Sequence, residues 1–448
     1  MSKIAEIFKA YDVRGIYPDQ FNGQIAERLG LAYAAVKKPK KLAVGGDVRT
    51  STAELKQALI KGLVAGGVEV VDIGTVTTDQ LYFAVGQYGF DGGISVTASH
   101  NPGQYNGLKF AEYGAAPITT AGLLALCDWA TSPKQLLAVG RGQVSNQEIL
   151  DDYIKHVLAY IDPASIKAFK VVANANFGAV GRSVDKIAEK LNLKLERLNW
   201  QEDGSFPKGP PNPLLPENRD ETIDLIKKTS PELGVAWDAD ADRVFFFTGE
   251  GEFIHSCYII ALLAPEFLRR FPGAKIIHDI ATSWVIDKAV EQAGGTSITN
   301  RTGHTFIKAR MRQEDAPFAG ESSGHYYFRD SFYADNGIAP FLMILQIMSK
   351  TGKSLKQLVD PLMEQYKVSG EINFKVKYPQ KKMAALEKQF GKEGEVNKMD
   401  GLVVKSKDWR FSARVSNTEP LMRLNAEATS ADKLNDIVAK LTKVINSN

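Results

Sequence analysis

KLAVGGDVRTSTAELKQALIKGL (41–63), continuing into VEVVDIG (68–74), carries the main architectural signal of the chain. A short apolar run is followed by a small and polar turn, then by an amphipathic segment in which Leu55, Leu59 and Leu63 recur at helical spacing. Gly66 and Gly67 end that helix before the second apolar run, so the order is strand, helix, strand: a βαβ unit. The same run, turn and amphipathic stretch return in FKVVANANFGAVGRSVDKIAEKL (169–191) and AKIIHDIATSWVIDKAVEQAG (274–294). Three such units imply three similar α/β domains with mixed, mostly parallel sheets covered by helices. Beyond residue 366 the pattern changes. SGEINFKVKY (369–378) and MRLNAEAT (422–429) read as strands, and Leu434, Ile437, Val438, Leu441, Val444 and Ile445 form one face of a closing helix. That predicts a smaller α+β domain. The expected domains are 1–149, 150–250, 251–366 and 367–448.

Composition narrows the functional classes. Among 448 residues, 55 Lys and Arg stand against 52 Asp and Glu, a net +3 that supplies no general attraction to nucleic acid or anionic lipid. Two distant cysteines, Cys127 and Cys257, exclude a disulfide scaffold and suit a reducing compartment. The opening MSKIAEIFKAYDVRG lacks the apolar core of a secretory signal, and YIIALLAP (258–265) is too short to span a bilayer. A cytoplasmic monomer or dimer is expected, acting on small molecules, with no nucleic-acid or membrane partner.

In VTASHNPGQYNGLKF (96–110), Gly93 to Thr97 reads as a short strand, and Asn101-Pro102-Gly103 forces a turn. Ser99 is thereby presented at the strand's carboxyl end, where open α/β sheets bind ligands. It is a candidate nucleophile; an ordinary turn residue or cap fits the same letters, and His100 beside it does not make a triad.

WDADADRVFFF (237–247) places Asp238, Asp240 and Asp242 at alternate positions before Arg243. Three carboxylates this close repel unless a divalent cation neutralises them, and magnesium is the natural candidate. A calcium loop fails, because Arg243 and Gly249 stand where it needs glycine and a bidentate glutamate. The alternative is a solvated turn. Apolar strands on both sides favour the metal.

Two more loops are rich in donors. PFAGESSGHYYF (317–328) offers Glu321 and Ser323 to sugar hydroxyls and His325 for proton transfer, while RVSNTEPLMR (414–423) packs Arg414, Ser416, Asn417, Thr418 and Arg423 into a turn suited to a phosphate dianion. Each also reads as an ordinary loop. His304 and Lys308 are spaced as helix neighbours, and a solvated helix face is the competing reading.

TASHNP with the downstream NGLK, the DADADR loop, GESSGH and RVSNTEP occur in the order seen in the α-D-phosphohexomutase superfamily, and the whole chain resembles its bacterial phosphomannomutase and phosphomannomutase/phosphoglucomutase branch. FKAYDVRG (8–15), GGDVRTS (45–51), FPKGPPNPLLPEN (206–218) and TGHTFIK (302–308) are similar to that branch too. The resemblance implies four domains around a central cleft. It makes Ser99 the phosphoserine, with its phosphate, Asp238, Asp240 and Asp242 holding Mg2+ and Arg243 helping to hold the phosphate. Glu321, Ser323 and His325 become the sugar loop, and Arg414, Ser416, Asn417, Thr418 and Arg423 the seat of the far phosphate. Tyr11, Arg14, His100, Asn101, Lys109, His304 and Lys308 would line the same cleft.

The implied reaction interconverts mannose 6-phosphate and mannose 1-phosphate through a hexose 1,6-bisphosphate that also acts as activator, supplying GDP-mannose synthesis. Lys109 and His325 are both candidates for acid and base. Glucose phosphates are an alternative substrate, since mannose and glucose differ only at C2; a magnesium-dependent phosphatase and a silent sugar-phosphate sensor are the readings outside the class. Three departures stand out: Ala239 where the family commonly has glycine, Ala281 where relatives often carry a lysine or arginine, and Phe177 in a usually small-residue turn.

Overall fold

The computed structural model describes residues 3–132, 140, 142–282, 284–415 and 421–447. The chain packs as two compact units, Met1–Phe253 with His325–Ser354, and Ile254–Gly324 with Leu355–Asn448. His325 therefore belongs to the first unit, and Glu321 and Ser323 to the second.

In the first unit the expected βαβ element forms. Lys41–Gly46 is a central strand, parallel to Glu69–Thr75 on one side and to Gly92–Val96 on the other. Leu55, Leu59 and Leu63 of the helix Thr52–Ala65 are buried in one cluster with Val44, Ile94 and Val96. The helix Gly23–Lys37 packs on it so closely that a Cβ at Gly62 would lie 2.0 Å from the Glu27 carbonyl, so only glycine fits there. On the other face, Leu81 and Val85 of the helix Thr78–Tyr88 cover Ala43, Val71 and Ile73. Past Gly92–Val96 the sheet turns antiparallel, adding Tyr105–Glu112 and then Val13–Ile16. The sheet is mixed, as expected.

A second sheet repeats the pattern. Leu233–Trp237 lies parallel to Lys170–Asn174 and antiparallel to Val244–Thr248, with Trp237 opposite Val244. The acidic residues 238–243 are thus the connection of a hairpin whose strands are wholly buried.

The second unit holds the third repeat. Lys275–Asp279 runs between Thr296–Asn300 and Phe318–Gly320, parallel to both. After residue 366 the strands are antiparallel: Leu402–Lys405, Trp409–Val415, Leu421–Ala428 and Ile372–Lys375. Their apolar face is closed by the helix Ala431–Asn446 through Ile437, Leu441 and Ile445. This is the small α+β domain. No helix among the described residues is long and apolar enough to cross a membrane, and Cys127 and Cys257 are free thiols.

Candidate active site

The strand Gly92–Val96 delivers Thr97, Ala98 and Ser99 to its carboxyl end, and the chain returns along Tyr105–Glu112 with Lys109 opposite Ser95. Gly107 in that return has no room for a side chain, because a Cβ would lie 2.0 Å from the Val13 carbonyl of the neighbouring strand. Ser99 is buried and left-handed, at φ 51°. That conformation costs a non-glycine residue about 1–2 kcal/mol, so surrounding contacts must hold it. Its Oγ donates to Asp238 Oδ2 at 3.1 Å and lies 3.2 Å from His100 Nδ1. Desolvation, with the Arg243 and Arg14 cations nearby, pushes the His100 imidazole well below its ordinary pKa, so the ring is neutral. Arg14 donates to Asp12 at 2.8 Å and to the Asn101 side chain, which brings the amino-terminal motif to the serine loop. Tyr11 is half-buried in the turn before Val13–Ile16.

Asp238, Asp240 and Asp242 are all buried, and one carboxylate oxygen of each lies within 4.8 Å of the others. Burial and the charges of Asp242 and Asp240 hold the Asp238 carboxyl well above its usual range. Burial works against the Asp242 carboxylate as well, but Lys109, His325 and Arg243 outweigh it and keep Asp242 well below that range. Lys109 Nζ donates to Asp240 Oδ2 at 2.7 Å and to Asp242 Oδ2. Burial disfavours its charge, yet the two aspartates outweigh that and raise its pKa, so Lys109 is a fixed cation. Arg243 Nε lies 3.5 Å from Asp238 Oδ2. His325 pairs through its backbone with Arg243, and its Nε2 is 3.5 Å from Asp242 Oδ1.

The three aspartates fit a hard divalent cation. They supply only oxygen donors, and Asp240 Oδ1 is buried with no hydrogen-bond donor among the described residues. A solvated turn is ruled out by the burial of all three.

In the second unit Glu321 is buried and accepts from the Gly303 backbone at 2.6 Å, which joins the sugar-loop candidate to the start of the helix His304–Glu314. Lys308, one turn after His304, is 1% exposed, which removes the solvated-face reading of that pair. Ser323 is half-buried. Ser322 donates to Asp279 Oδ2 at 2.7 Å, and burial together with Glu321 pushes the Asp279 carboxyl up to about 6. Arg414 and Arg423 are paired directly across adjacent strands. Like charges in that position are destabilising, and a bound anion would relieve them. Arg414 lies 3.4 Å from Asp400, which also accepts from the Thr302 backbone at 3.0 Å, tying the arginine pair to the Gly303 turn. Ser416, Asn417 and Thr418 lie outside the described residues.

Family profiles match nearly the whole chain: phosphoglucomutase/phosphomannomutase alpha/beta/alpha domains I, II and III over residues 5–134, 151–251 and 255–366, and the C-terminal domain over 371–444. The chain belongs to the phosphoglucomutase/phosphomannomutase family. It is similar to a phosphomannomutase of Salmonella montevideo, 43% identical with 94% of each chain covered. A Xanthomonas campestris pv. campestris protein described as phosphohexose mutases is 42% identical over the same shares. Among solved structures, a phosphoglucomutase/phosphomannomutase family protein from Burkholderia thailandensis superposes with a TM-score of 0.88 at 32% identity, covering 99% of both chains. The protein is accordingly a phosphohexomutase, an isomerase of carbohydrate metabolism that works by phosphoryl transfer.

Of the three departures from the family pattern, Ala239 has a structural answer. Ala239 is not in the left-handed region, which the loop reserves for Ala241 at φ 53°, so a Cβ at 239 is unstrained. The backbone of Ala281 accepts from Arg410 at 3.1 Å, and Arg410 is itself paired with buried Glu427 at 2.6 Å. Phe177 takes φ 63°, unusual for a bulky residue, and its N–H donates to the Asn199 backbone carbonyl at 2.7 Å.

Sequence reasoning missed several supporting residues. Asp47 and Arg49 lie in the GGDVRTS turn, whose sequence carries a family resemblance and no sign of their role. Thr78, whose Oγ1 donates to Asp240 Oδ2 at 2.6 Å, carries no motif signal, and Asp279, which accepts from Ser322 of the sugar loop, is marked in the sequence only by its place just before the Ala281 departure.

Proposed function

We propose that this phosphohexomutase is a phosphomannomutase that interconverts mannose 6-phosphate and mannose 1-phosphate through phosphorylated Ser99 and a hexose 1,6-bisphosphate. The observation that carries this reading is the buried Ser99 hydroxyl, 3.1 Å from Asp238 in a pocket of three carboxylates and the cations Lys109 and Arg243. Phosphoryl transfer asks a protein for positioning and charge neutralisation more than for covalent chemistry.

Asp238, Asp240 and Asp242, with the phosphate on Ser99, would hold Mg2+, which when bound neutralises charge on the transferring group. Arg243 and Lys109 add fixed positive charge. A sugar hydroxyl attacks the phosphorus, a new P–O bond forms as the bond to Ser99 Oγ breaks, and net one proton moves from the sugar to Ser99 Oγ. His325 is the group proposed to take that proton first, because Lys109, paired with two aspartates, is a poor base. The bisphosphate turns over and the steps run in reverse from its other end. Glu321 and Ser323, with His304 and Lys308, bind the sugar, while Arg414, Arg423 and the loop of Ser416, Asn417 and Thr418 hold the phosphate that is not reacting. Tyr11, Arg14, His100 and Asn101 support the serine loop and the incoming phosphate.

We further propose that the enzyme works in the cytoplasm and supplies mannose 1-phosphate to GDP-mannose synthesis. A second reading, dual action on mannose and glucose phosphates, is favoured by the broader description of the Xanthomonas relative. A coupled assay comparing mannose 1-phosphate with glucose 1-phosphate, with hexose 1,6-bisphosphate present, decides between them. Steady release of inorganic phosphate in that assay, or no turnover of either sugar, would instead favour the phosphatase or the sensor.

A further inference from the structure

Arg49 is 2% exposed, and every one of its five side-chain N–H groups is used. Nε donates to Asp47 Oδ2 at 3.1 Å. Nη1 donates to the carbonyls of Pro102 at 2.8 Å and Tyr105 at 3.0 Å, and Nη2 to those of Ser99 at 2.5 Å and Asn101 at 2.7 Å. One planar cation thus captures four carbonyls of the serine loop. Asp47 is as fully engaged. It accepts from the Arg49 backbone at 3.0 Å, from Thr52 Oγ1 at 2.8 Å, and from Thr97 Oγ1 at 2.8 Å, while Thr97 Oγ1 accepts the Ser99 N–H at 2.9 Å. The guanidinium also lies over the Phe206 ring, 4.9 Å from its centroid, so its remaining face is covered.

We infer that Arg49, held by Asp47, is a positioning residue for phosphoryl transfer: it locks the loop 99–105 so that strained Ser99 keeps its Oγ toward Asp238. This rests on the reading of Ser99 as the phosphoryl carrier. None of the five donors of Arg49 goes to the Ser99 hydroxyl or to Asp238, Asp240 or Asp242. Its contacts with the loop 99–105 are all to backbone carbonyls, and they oppose relaxation of the left-handed Ser99 to an unstrained conformation. Lysine keeps the charge but has three donors on one nitrogen, so it cannot satisfy four divergent carbonyls and Asp47 together.

The test uses the full chain carrying Arg49→Lys, with wild type and Ser99→Ala alongside. Each is first stripped of any serine phosphate with a phosphatase that is then removed, so that the Ser99 hydroxyl, where present, is free, and is mixed with excess glucose 1,6-bisphosphate, quenched in acid at intervals and weighed intact. Wild type should gain one phosphoryl group and Ser99→Ala none. Misplacement of a reacting group by an ångström costs about 100-fold, so Arg49→Lys should be phosphorylated roughly 100-fold more slowly, with kcat falling in step and KM for mannose 1-phosphate nearly constant. A folded Arg49→Lys phosphorylated at the wild-type rate, or one whose loss lies wholly in KM, overturns the inference and leaves the Ser99 reading intact. Wild type that never gains a phosphoryl group overturns both. Should Arg49→Lys not fold, the isosteric Asp47→Asn carries the same test: slower phosphorylation at steady KM is expected, and a wild-type rate overturns the inference.

Discussion

Lys109 Nζ lies 2.7 Å from Asp240 Oδ2, with both side chains buried. The lysine supplies the positive charge that three crowded aspartates need, and so doubles as a stability element. Breaking a buried ion pair from one side costs about 3–5 kcal/mol, and Lys109→Gln should lose stability of that order in metal-free buffer. Thermal melts with chelator and with magnesium check this. The variant should melt lower than wild type in chelator and gain more from magnesium, because its carboxylates are left uncompensated. Equal melting of the two proteins in chelator would show that Lys109 is dispensable to the cluster.

The acidic hairpin should be the metal site. Partners in the outer sphere of a metal typically contribute 10–100-fold to its affinity, so substituting the proposed direct ligand in Asp240→Asn should weaken magnesium binding by at least about tenfold. Calorimetric titration of folded Asp240→Asn measures it. Turnover should also stop on exhaustive chelation, and full activity without metal would leave the hairpin a purely structural turn.

Arg414 and Arg423 face each other across two strands. A charge-assisted phosphate contact is worth roughly 1.5–3 kcal/mol, so Arg423→Ala should lose about 10- to 150-fold in kcat/KM, for mannose 1-phosphate and glucose 1-phosphate alike. Stabilisation of the variant by added phosphate should shrink relative to wild type. A changed mannose-to-glucose preference at constant combined efficiency would assign Arg423 to the sugar instead.

Asp79 is buried on the helix that reaches the acidic hairpin, and burial pushes its carboxyl up to about 7 although Tyr153 donates to it at 2.5 Å. A carboxyl raised on folding favours the native state at low pH. Its contribution is complete below the unfolded value, about 4, and is lost as pH rises through the folded one near 7. Asp79→Asn has no such titration, so its melting temperature should fall less than that of wild type between those limits. Parallel curves for the two proteins would show that Asp79 does not titrate there.

Much of this was legible in the sequence, for local reasons. Leu55, Leu59 and Leu63 mark their helix by spacing alone, and Asn101-Pro102-Gly103 places Ser99 at a strand end by turn chemistry. The apolar runs around Asp238, Asp240 and Asp242 fix the hairpin. What escaped depends on distant pairing. Thr78 meets Asp240 across 162 residues, and Arg49 grips carbonyls about fifty residues away, so neither carries a local pattern. The spacing of His304 and Lys308 fits a wet or a buried face equally well, and only packing decides. Likewise the residue types of Arg414 and Arg423 point to an anion, but their direct opposition follows from strand register.

Phosphorylation of Ser99 is the step on which the rest depends. Intact-mass analysis after incubation with glucose 1,6-bisphosphate, followed by peptide mapping, should find one added phosphoryl group per chain, located on Ser99, and the charged protein should pass it on to mannose 1-phosphate. A phosphoryl group on another residue, or a Ser99→Ala protein with full mutase turnover, would contradict the mechanism.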